Sequence, residues 1–364
     1  MGKPLTVGVI GCGNIIGAYL ETFPRLSAVK LVCVADIEFS RAEAVARQQV
    51  GVRALAVDEL LADDDVDLVL NLTNPKAHAE VALRAIHAGK NVYGEKPLAA
   101  STREAREVLE AAAANRVRVG CAPDTVLGTG IQTARKAIDD GLVGRPISAT
   151  ATMVTPGHER WHPNPDFYYQ AGGGPLLDMG PYYVTALVTL LGPVASVVGA
   201  ASHIRASRII GTGPRKGEII PVSTATHVTG VLVHTSGTLS TIVTSFDAVA
   251  SLAPNIEVHG EHASLVVPDP NRFVGDVRMR SLDATDWATL PISAGYLDAS
   301  RGFGVQDLAE TPEGQEPRAG GILAFHVLDV MESLLRSAQL GKAIAIQSTC
   351  QRPAALPLQA LAAI

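Results

Sequence analysis

Lys96 has a clear potential for chemistry in this sequence. It directly follows a short apolar segment, 91–95, and precedes a proline. If that segment is a parallel strand, the lysine lies at its carboxyl end, where open α/β sheets bind their ligands. A positive charge there would stabilise a reacting oxygen and favour the ionised form of a neighbouring acid. Taken alone, a lysine in this setting is more often a solvated loop residue.

A glycine-rich turn follows the first apolar segment, 5–10. It reads Gly11-Cys12-Gly13-Asn14-Ile15 and leads into a helical pattern. The first glycine permits a tight turn, and the second lets backbone N–H groups approach a pyrophosphate at a helix N-terminus. The third glycine of the fingerprint is replaced by Ile16, with Gly17 one residue later. We expect a dinucleotide site here, and the alternative is a tight turn without a ligand.

The second apolar segment ends at Asp36, where dinucleotide-binding folds carry an acid that accepts a hydrogen bond from the adenosine ribose 2′-OH. A carboxylate repels a 2′-phosphate, so the sequence predicts NAD as the cofactor, with NADP less favoured. Arg41 would soften that preference if it faced the phosphate, but its simpler interpretation is a solvated helix residue.

Alternating strands and helices would position these residues. In the first 122 residues β-branched apolar runs alternate with helical stretches, which predicts a doubly wound parallel sheet. Ser40 and Ser101 are predicted helix N-caps, the second supported by Glu104. The expected strands are 5–10, 30–36, 66–72, 91–95 and 117–121, and the expected helices are 13–26, 40–49, 75–88 and 101–114.

After residue 123 the sequence changes to Thr/Val-rich segments joined by short turns, a pattern typical of antiparallel hairpins. Apolar helices are expected at 176–191 and 320–340, whereas 156–175 and 268–320 resemble irregular loops. We predict an α/β protein of two domains. Residues 1–123 would form a dinucleotide-binding Rossmann domain, and 124–364 a substrate-binding and oligomerisation domain with an open, mostly antiparallel sheet.

A cluster of aromatic and polar residues runs from His158 to Tyr169, in a chain with only 4% aromatic residues. Sugars are bound by aromatic faces beside hydrogen-bonding groups, so Trp161, His162 and Tyr168 are candidate substrate contacts. The alternative is an aromatic plug that packs the loop down. The loop is rich in proline and offers no carboxylate cluster to complete a metal site, so no metal is predicted.

Composition argues against several classes of protein. The chain has 364 residues, 47% of them hydrophobic, which is enough for two buried cores. Its net charge of −6 argues against a nucleic-acid partner, and no stretch approaches the ~20 apolar residues of a membrane helix. The N-terminus lacks the features of a secretory signal, and the four cysteines are scattered. We therefore expect a cytoplasmic protein with reduced thiols.

Four motifs together resemble the Gfo/Idh/MocA oxidoreductases, a family that includes glucose–fructose oxidoreductase and inositol dehydrogenases. They are the glycine turn, Thr73-Asn74-Pro75 with His78, Gly94-Glu95-Lys96-Pro97, and 172–180. The resemblance covers essentially the whole chain. It implies a Rossmann domain followed by an open sheet that often forms an oligomer interface, and hence a homodimer or homotetramer. The implied dinucleotide contacts are Gly11, Gly13, Asn14, Ile15, Asp36, Thr73, Asn74, His78, Glu95 and Lys96. The alternative for His78 is a structural histidine.

The resemblance also implies the catalytic residues Lys96, Asp178 and Tyr182. Many members of the family read Asp-x-Gly-x-His, whereas this sequence has tyrosine at the last position, as some branches of the family do. Asp178 and Tyr182 are spaced i, i+4 and so share one face of a helix. A nearby lysine would favour the phenolate and suit general acid–base chemistry. The alternative for Tyr182 is a buried side chain with a satisfied hydroxyl.

These observations predict an oxidoreductase that transfers a hydride between a nicotinamide and a carbinol or carbonyl carbon of a sugar, polyol or glycoside. Two alternatives stay open. One is an enzyme of the same family that retains NAD and cleaves a glycoside through transient oxidation. The other is a non-catalytic regulator that senses nucleotides. The expected partners are a small carbohydrate and further copies of the chain, without nucleic acid or membrane.

Overall fold

The computed structural model describes residues 3–360. The strands are β1 (Leu5–Ile10), β2 (Val29–Ala35), β3 (Arg53–Leu55), β4 (Leu68–Asn71), β5 (Asn91–Gly94), β6 (Val119–Cys121), β7 (Pro146–Val154), β8 (Val194–Ser202), β9 (Ser207–Ile209), β10 (Ile219–Pro221), β11 (His227–His234), β12 (Leu239–Ser245), β13 (Ile256–Gly260), β14 (Ala263–Val267), β15 (Arg278–Ser281), β16 (Ala288–Thr289) and β17 (Ile344–Ala345). The helices are α1 (Ile16–Thr22), α2 (Phe39–Ala46), α3 (Val57–Ala62), α4 (His78–His87), α5 (Thr102–Asn115), α6 (Thr129–Asp139), α7 (Pro175–Leu191), α8 (Phe303–Glu310) and α9 (Gly321–Leu340).

The chain divides into two compact units. The first contains the described residues up to Gly128, the segment Tyr296–Leu328 and the described residues from Leu358 onward. The second contains Thr129–Gly295 and Asp329–Pro357. The sequence-based boundary at 123–124 lies close to the first border between the units. It does not foresee that a later segment returns to the first unit.

Within the described residues, the first unit contains a six-stranded parallel sheet in the order β3-β2-β1-β4-β5-β6. Its central strands bury consecutive side chains, and Leu68, Val69 and Leu70 are completely inaccessible. Consecutive buried residues point to opposite faces of a strand, so both faces of this sheet are covered. The predicted doubly wound parallel sheet is confirmed.

One of the two predicted helix caps is wrong. Ser101 is the N-cap of α5, where its hydroxyl accepts a hydrogen bond from the Glu104 backbone N–H at 3.3 Å. Ser40 lies inside the first turn of α2, which has Glu38 as its N-cap. The Asp36 carboxylate accepts the Glu38 backbone N–H at 2.9 Å. This bond fixes the backbone at Glu38, so the N-cap of α2 lies two residues before the predicted N-cap, Ser40.

The prediction of an irregular loop over 268–320 is also wrong in part, because β15, β16 and α8 lie within it. Helix α8 packs on β6 and β2 and completely buries Phe303, Val305 and Leu308. Glycines stand on both sides of Phe303 and weaken the helical pattern in the sequence. Packing against the sheet, rather than intrinsic propensity, therefore stabilises this helix.

The second unit is built on a sheet that, in the part of the chain described, has nine strands in the order β16-β15-β14-β13-β7-β12-β11-β8-β17. Only the β7–β12 pair is parallel, which confirms the predicted open, mostly antiparallel sheet. Strands β9 and β10 form a separate antiparallel ribbon. Helix α7 packs against β7, β11 and β12.

The two faces of the large sheet differ in burial. In β7, Ala149, Ala151 and Met153 are buried, whereas the alternate residues Thr150 and Thr152 are half-exposed. The registers of the neighbouring strands continue this alternation across the sheet. The half-exposed or exposed side, termed the open face, includes Ser148, Thr150, Thr152, Val198, Ala200, Thr229, Val231, Thr241, Val243 and Glu257.

None of the helices described combines the length and the apolar character that crossing a membrane requires.

Candidate functional site

The glycine turn after β1 is shaped for a ligand. Gly11 has a φ of +105°, and a Cβ on it would lie 2.7 Å from the carbonyl of Leu72. Only glycine lets the turn pass this close to the end of β4. At Gly13, by contrast, a Cβ would meet nothing within 4 Å, and α1 begins three residues later at Ile16. The turn thus leaves free space beside the N-terminal N–H groups of a helix, which fits a pyrophosphate.

Asp36 stands directly after β2 and holds this turn. Its Oδ2 accepts the Cys12 backbone N–H at 2.7 Å, and its Oδ1 accepts the Glu38 N–H. A carboxylate oxygen can accept more than one hydrogen bond, so both oxygens can also receive ribose hydroxyls. Arg41 forms an exposed ion pair with Glu38 at 2.8 Å, which partly neutralises its charge.

His78 connects two loops of the first unit. Its Nδ1 lies 2.6 Å from the carbonyl oxygen of Pro97, and its Nε2 lies 3.0 Å from that of Thr73. The ring is buried, and this burial lowers its pKa. His78 therefore lies between the loop after β4 and the loop after β5, and in its neutral form it donates its single N–H to one of the two carbonyls. Thr73 is half-exposed and Asn74 is exposed at the carboxyl end of β4.

Glu95 and Lys96 follow β5. Glu95 is buried, and its Oε1 accepts the Tyr19 hydroxyl at 2.9 Å while its Oε2 accepts the Lys96 backbone N–H at 3.1 Å. The Arg301 guanidinium lies 4.0 Å from the same carboxylate. Lys96 itself is half-exposed. The Glu95 carboxylate thus fixes the backbone from which the lysine side chain extends.

Asp124 is a buried acid that the sequence analysis missed. It follows β6, and its Oδ2 accepts the backbone N–H groups of Gly302 and Gly304, at 2.8 and 3.1 Å, at the start of α8. Burial raises its pKa to about 6, although these two hydrogen bonds and Arg301 oppose the increase. An acid at the carboxyl end of a predicted parallel strand was the signal that could have identified it.

Asp178 and Tyr182 both lie on α7, which begins with a proline at its first position after Gly174. Asp178 is in the first turn, where the helix dipole favours a negative charge. Tyr182 is buried and 4% exposed. Its neighbour Tyr183 belongs to the core, because it is 1% exposed and its hydroxyl accepts the Asn255 Nδ2 at 2.8 Å. Burial raises the pKa of Tyr183.

His158 is the second residue that sequence reasoning missed, since it was named there only as the start of the aromatic and polar cluster. Its Nε2 lies 3.2 Å from Asp178 Oδ2, and its Nδ1 is buried without a hydrogen-bond partner among the residues described. Its ring centroid lies 4.3 Å from that of Phe246 and 4.6 Å from that of Tyr168. A histidine in an aromatic run shortly before the Gly-Gly-Gly motif was the available signal.

The predicted substrate contacts come together in one aromatic cluster. The ring centroids of Trp161 and His162 are 5.5 Å apart, as are those of His162 and Tyr168. Trp161 is also 5.1 Å from His158, and 59% of its surface is exposed. An exposed indole next to a buried imidazole offers a face for a ligand. Tyr168 is half-exposed within the packed part of the cluster.

All four cysteines lie among the described residues, and all are free and buried. Burial raises the pKa of Cys12, Cys33 and Cys350 to about 12 and raises that of Cys121 as well. They are therefore neutral thiols near neutral pH. Over residues 3–360, no group of three or more His, Cys, Asp or Glu side chains could hold a metal ion.

A parallel sheet with a glycine turn after its first strand and an acid after its second defines a dinucleotide-binding α/β fold. Comparison with known proteins gives the family. Residues 5–122 match the model of the Gfo/Idh/MocA oxidoreductase family with its NAD-binding Rossmann fold, and residues 131–266 match the C-terminal domain of the same family. The chain belongs to this family and is an NAD(P)-dependent oxidoreductase.

Two curated relatives and one solved structure illustrate the similarity. A 1,5-anhydro-D-fructose reductase from Ensifer adhaerens is 28% identical over 80% of this chain and 84% of the relative. An inositol 2-dehydrogenase from Rhizobium meliloti is 27% identical over 71% of this chain and 74% of the relative. An NAD-binding oxidoreductase from Klebsiella pneumoniae superposes with a TM-score of 0.81 at 22% identity, over 94% of this chain and 99% of that one.

Proposed function

We propose that this enzyme transfers a hydride between the nicotinamide of NAD and a carbinol or carbonyl carbon of a sugar, polyol or glycoside. The observation that carries the proposal is the His158–Asp178 hydrogen bond beside an exposed indole, in a chain of an NAD-binding family. A fold alone does not determine a reaction. The names of the relatives, a sugar reductase and a polyol dehydrogenase, support the same substrate class.

The first unit would hold the cofactor. The free space at Gly13 and the carboxylate of Asp36 suit a pyrophosphate and a ribose, respectively. When bound, NAD supplies the carbon that accepts or gives the hydride. We assign the contacts with it to the residues of the turn, of the loops after β2, β4 and β5, and of the start of α4. They are Gly11, Gly13, Asn14, Ile15, Asp36, Thr73, Asn74, His78, Glu95 and Lys96.

Side chains of this protein would transfer the substrate proton and stabilise the reacting oxygen. We assign to Tyr182 the transfer of the substrate hydroxyl proton, and to Lys96 the stabilisation of the reacting oxygen. Asp178 would accept a hydrogen bond from a neighbouring substrate hydroxyl, which orients the reacting carbon. Trp161, His162 and Tyr168 would contact the sugar ring.

A screen of NAD⁺ reduction tests this function. The purified enzyme is incubated with NAD⁺ and a panel of free sugars, polyols and glycosides, and NADH is followed by its absorbance. Accumulation of NADH with at least one carbinol supports the proposal. Release of an aglycone without NADH would instead show glycoside cleavage with retained cofactor. Absence of any turnover across the panel would contradict the proposal and favour a nucleotide-sensing regulator.

We further propose that the enzyme acts in the cytoplasm as a homodimer or homotetramer. Four buried, unpaired cysteines suit a reducing compartment. The open face of the large sheet offers apolar and small polar side chains for association with a second copy.

A further inference from the structure

A buried arginine contacts the residue that follows His158 in the chain. Arg208, on β9, is 2% exposed and pairs with the carboxylates of Glu159 and Asp247. Its guanidinium carbon also lies 5.1 Å from the centre of the Tyr169 ring. Each of these three partners directly follows, in the chain, a residue of what we term the imidazole box, defined as His158, Tyr168 and Phe246.

The first contact reaches the box through Glu159. Arg208 Nη1 donates to Glu159 Oε1 at 3.2 Å, and the other oxygen of this carboxylate accepts the Tyr169 hydroxyl. The same hydroxyl accepts the His158 backbone N–H at 3.1 Å. The Tyr169 hydroxyl therefore holds the backbone N–H of His158. Glu159, the residue that follows His158, holds this hydroxyl in turn.

The second contact reaches the wall formed by Phe246. Arg208 Nη2 donates to the carbonyl oxygen of Phe246 at 3.2 Å and to the carboxylate of Asp247. Thr226 donates its hydroxyl to the other oxygen of that carboxylate at 2.5 Å. Phe246 is fully buried, and its ring is the nearest of those around His158.

The Tyr168 and Phe246 rings help to set the orientation of the His158 ring, because that ring has few directional contacts of its own. Its Nε2 contacts Asp178, whereas its Nδ1 has no hydrogen-bond partner in the described part of the chain. The rotation of the imidazole therefore depends on the rings packed around it. A shift of the Tyr168 or the Phe246 ring would move the His158 Nε2 relative to the carboxylate of Asp178, to which we assign substrate orientation.

We propose that Arg208 is a positioning residue for the His158–Asp178 pair, through which the β9–β10 ribbon controls turnover. This inference rests on the proposed function of Asp178. The planar guanidinium donates in two directions, to Glu159 and to Asp247 with the Phe246 carbonyl, which a lysine ammonium cannot reproduce in the same geometry. Arg208→Lys keeps the positive charge and removes the guanidinium that donates hydrogen bonds in two directions.

The test compares Arg208→Lys with Arg135→Lys. Arg135 is a matched control in the same unit, since it is 7% exposed and pairs with Asp139 and with backbone carbonyls, away from the imidazole box. Arg208→Lys should lower kcat by ~10- to 100-fold, as expected for a small misplacement of catalytic groups, while the Kd for NAD stays within about twofold. Arg135→Lys should leave kcat near that of the wild type.

A second readout does not depend on turnover. In ¹⁵N-histidine-labelled protein, the imidazole signals of His158, assigned with His158→Gln, should move in Arg208→Lys and stay in place in Arg135→Lys. If Arg208→Lys fails to fold, Asp247→Asn replaces it and should move the same signals. Equal kcat and unmoved His158 signals in a folded variant would overturn the proposal. If the wild type turns over no substrate, the function fails, and the imidazole signals alone decide whether Arg208 positions His158.

Discussion

Tyr182 and Tyr183 are adjacent on α7 and provide a paired test of catalysis. Tyr182→Phe should lower kcat by ~10²- to 10⁴-fold, because a general acid–base group contributes that much, and should leave the Kd for NAD unchanged. Tyr183→Phe is the control. It removes a hydroxyl that accepts Asn255 Nδ2 and should cost about 1 kcal/mol of stability without affecting kcat. Steady-state kinetics and thermal melting of both variants measure these effects.

Wild-type turnover in Tyr182→Phe would show that its ring serves packing alone. The search for the proton carrier would then move to His158, whose Nε2 already contacts Asp178.

At this same residue scale, we expect the charge of Asp36 to set the preference for NAD over NADP. Asp36→Ala should weaken NAD binding by tenfold or more, since a hydrogen bond to a charged group contributes about 1.5–3 kcal/mol. The variant should lose its preference for NAD, because the charge that repels a 2′-phosphate is gone. Arg41→Ala is the control, with little effect on NAD because Arg41 pairs at the surface with Glu38. Tighter binding of NADP than of NAD by the wild type, in titrations, would contradict this assignment.

At the scale of elements, we expect the burial of Asp124 beside α8 to make the stability of the protein depend on pH. Its pKa in the folded protein, about 6, lies above the ordinary value of 3.8. The protonated form is therefore favoured by folding. This contribution to stability is complete below pH ~4 and is lost as pH rises through about 6, which amounts to on the order of 3 kcal/mol.

Asp124→Asn should remove that dependence while its amide oxygen still accepts the N–H groups of Gly302 and Gly304. Urea unfolding at several values between pH 4 and pH 7 measures it. The free energy of unfolding of the wild type should fall relative to that of the variant as pH rises. A difference that is constant over this range would contradict the shifted pKa.

The elements that the sequence predicts well are those with a long, regular pattern. The apolar run of β1 and the helical period of α7 are recognisable without tertiary information. Strand β3 and helix α3 are short, and α8 contains a glycine, so their patterns are too weak to detect. The β9–β10 ribbon pairs only three residues of each strand.

The residues of the candidate site also differ in how well the sequence predicts them. The glycine turn, Asp36 and Lys96 carry local motifs, so the sequence identifies them. His158, Arg208 and Asp124 carry none, because their significance comes from partners distant in the chain. Arg208 and Glu159, for example, are 49 residues apart and meet only in the folded unit.

At the scale of the whole molecule, the open face of the large sheet predicts association between copies of the chain. Thr229, Val231, Thr241 and Val243 lie on it in two central strands, β11 and β12, and are half-exposed or exposed, although the alternate residues of the same strands are mostly buried. A symmetric interface through this face would cover them, and closed homo-oligomers are the common arrangement.

Val231→Glu tests this interface directly. Val231 is opposite Thr241 in β12 and Val198 in β8, so the variant places a charge in the middle of the face. Two copies related by symmetry would bury these like charges at the contact, which should dissociate the oligomer. Sedimentation at micromolar concentration should show a multiple of 38 kDa for the wild type and a 38 kDa species for the variant.

Val50→Glu, at a fully exposed residue of the first unit, is the control and should leave the oligomer intact. A wild type that sediments at 38 kDa would rule out association through this sheet, and an oligomer that survives Val231→Glu would place the contact on another surface.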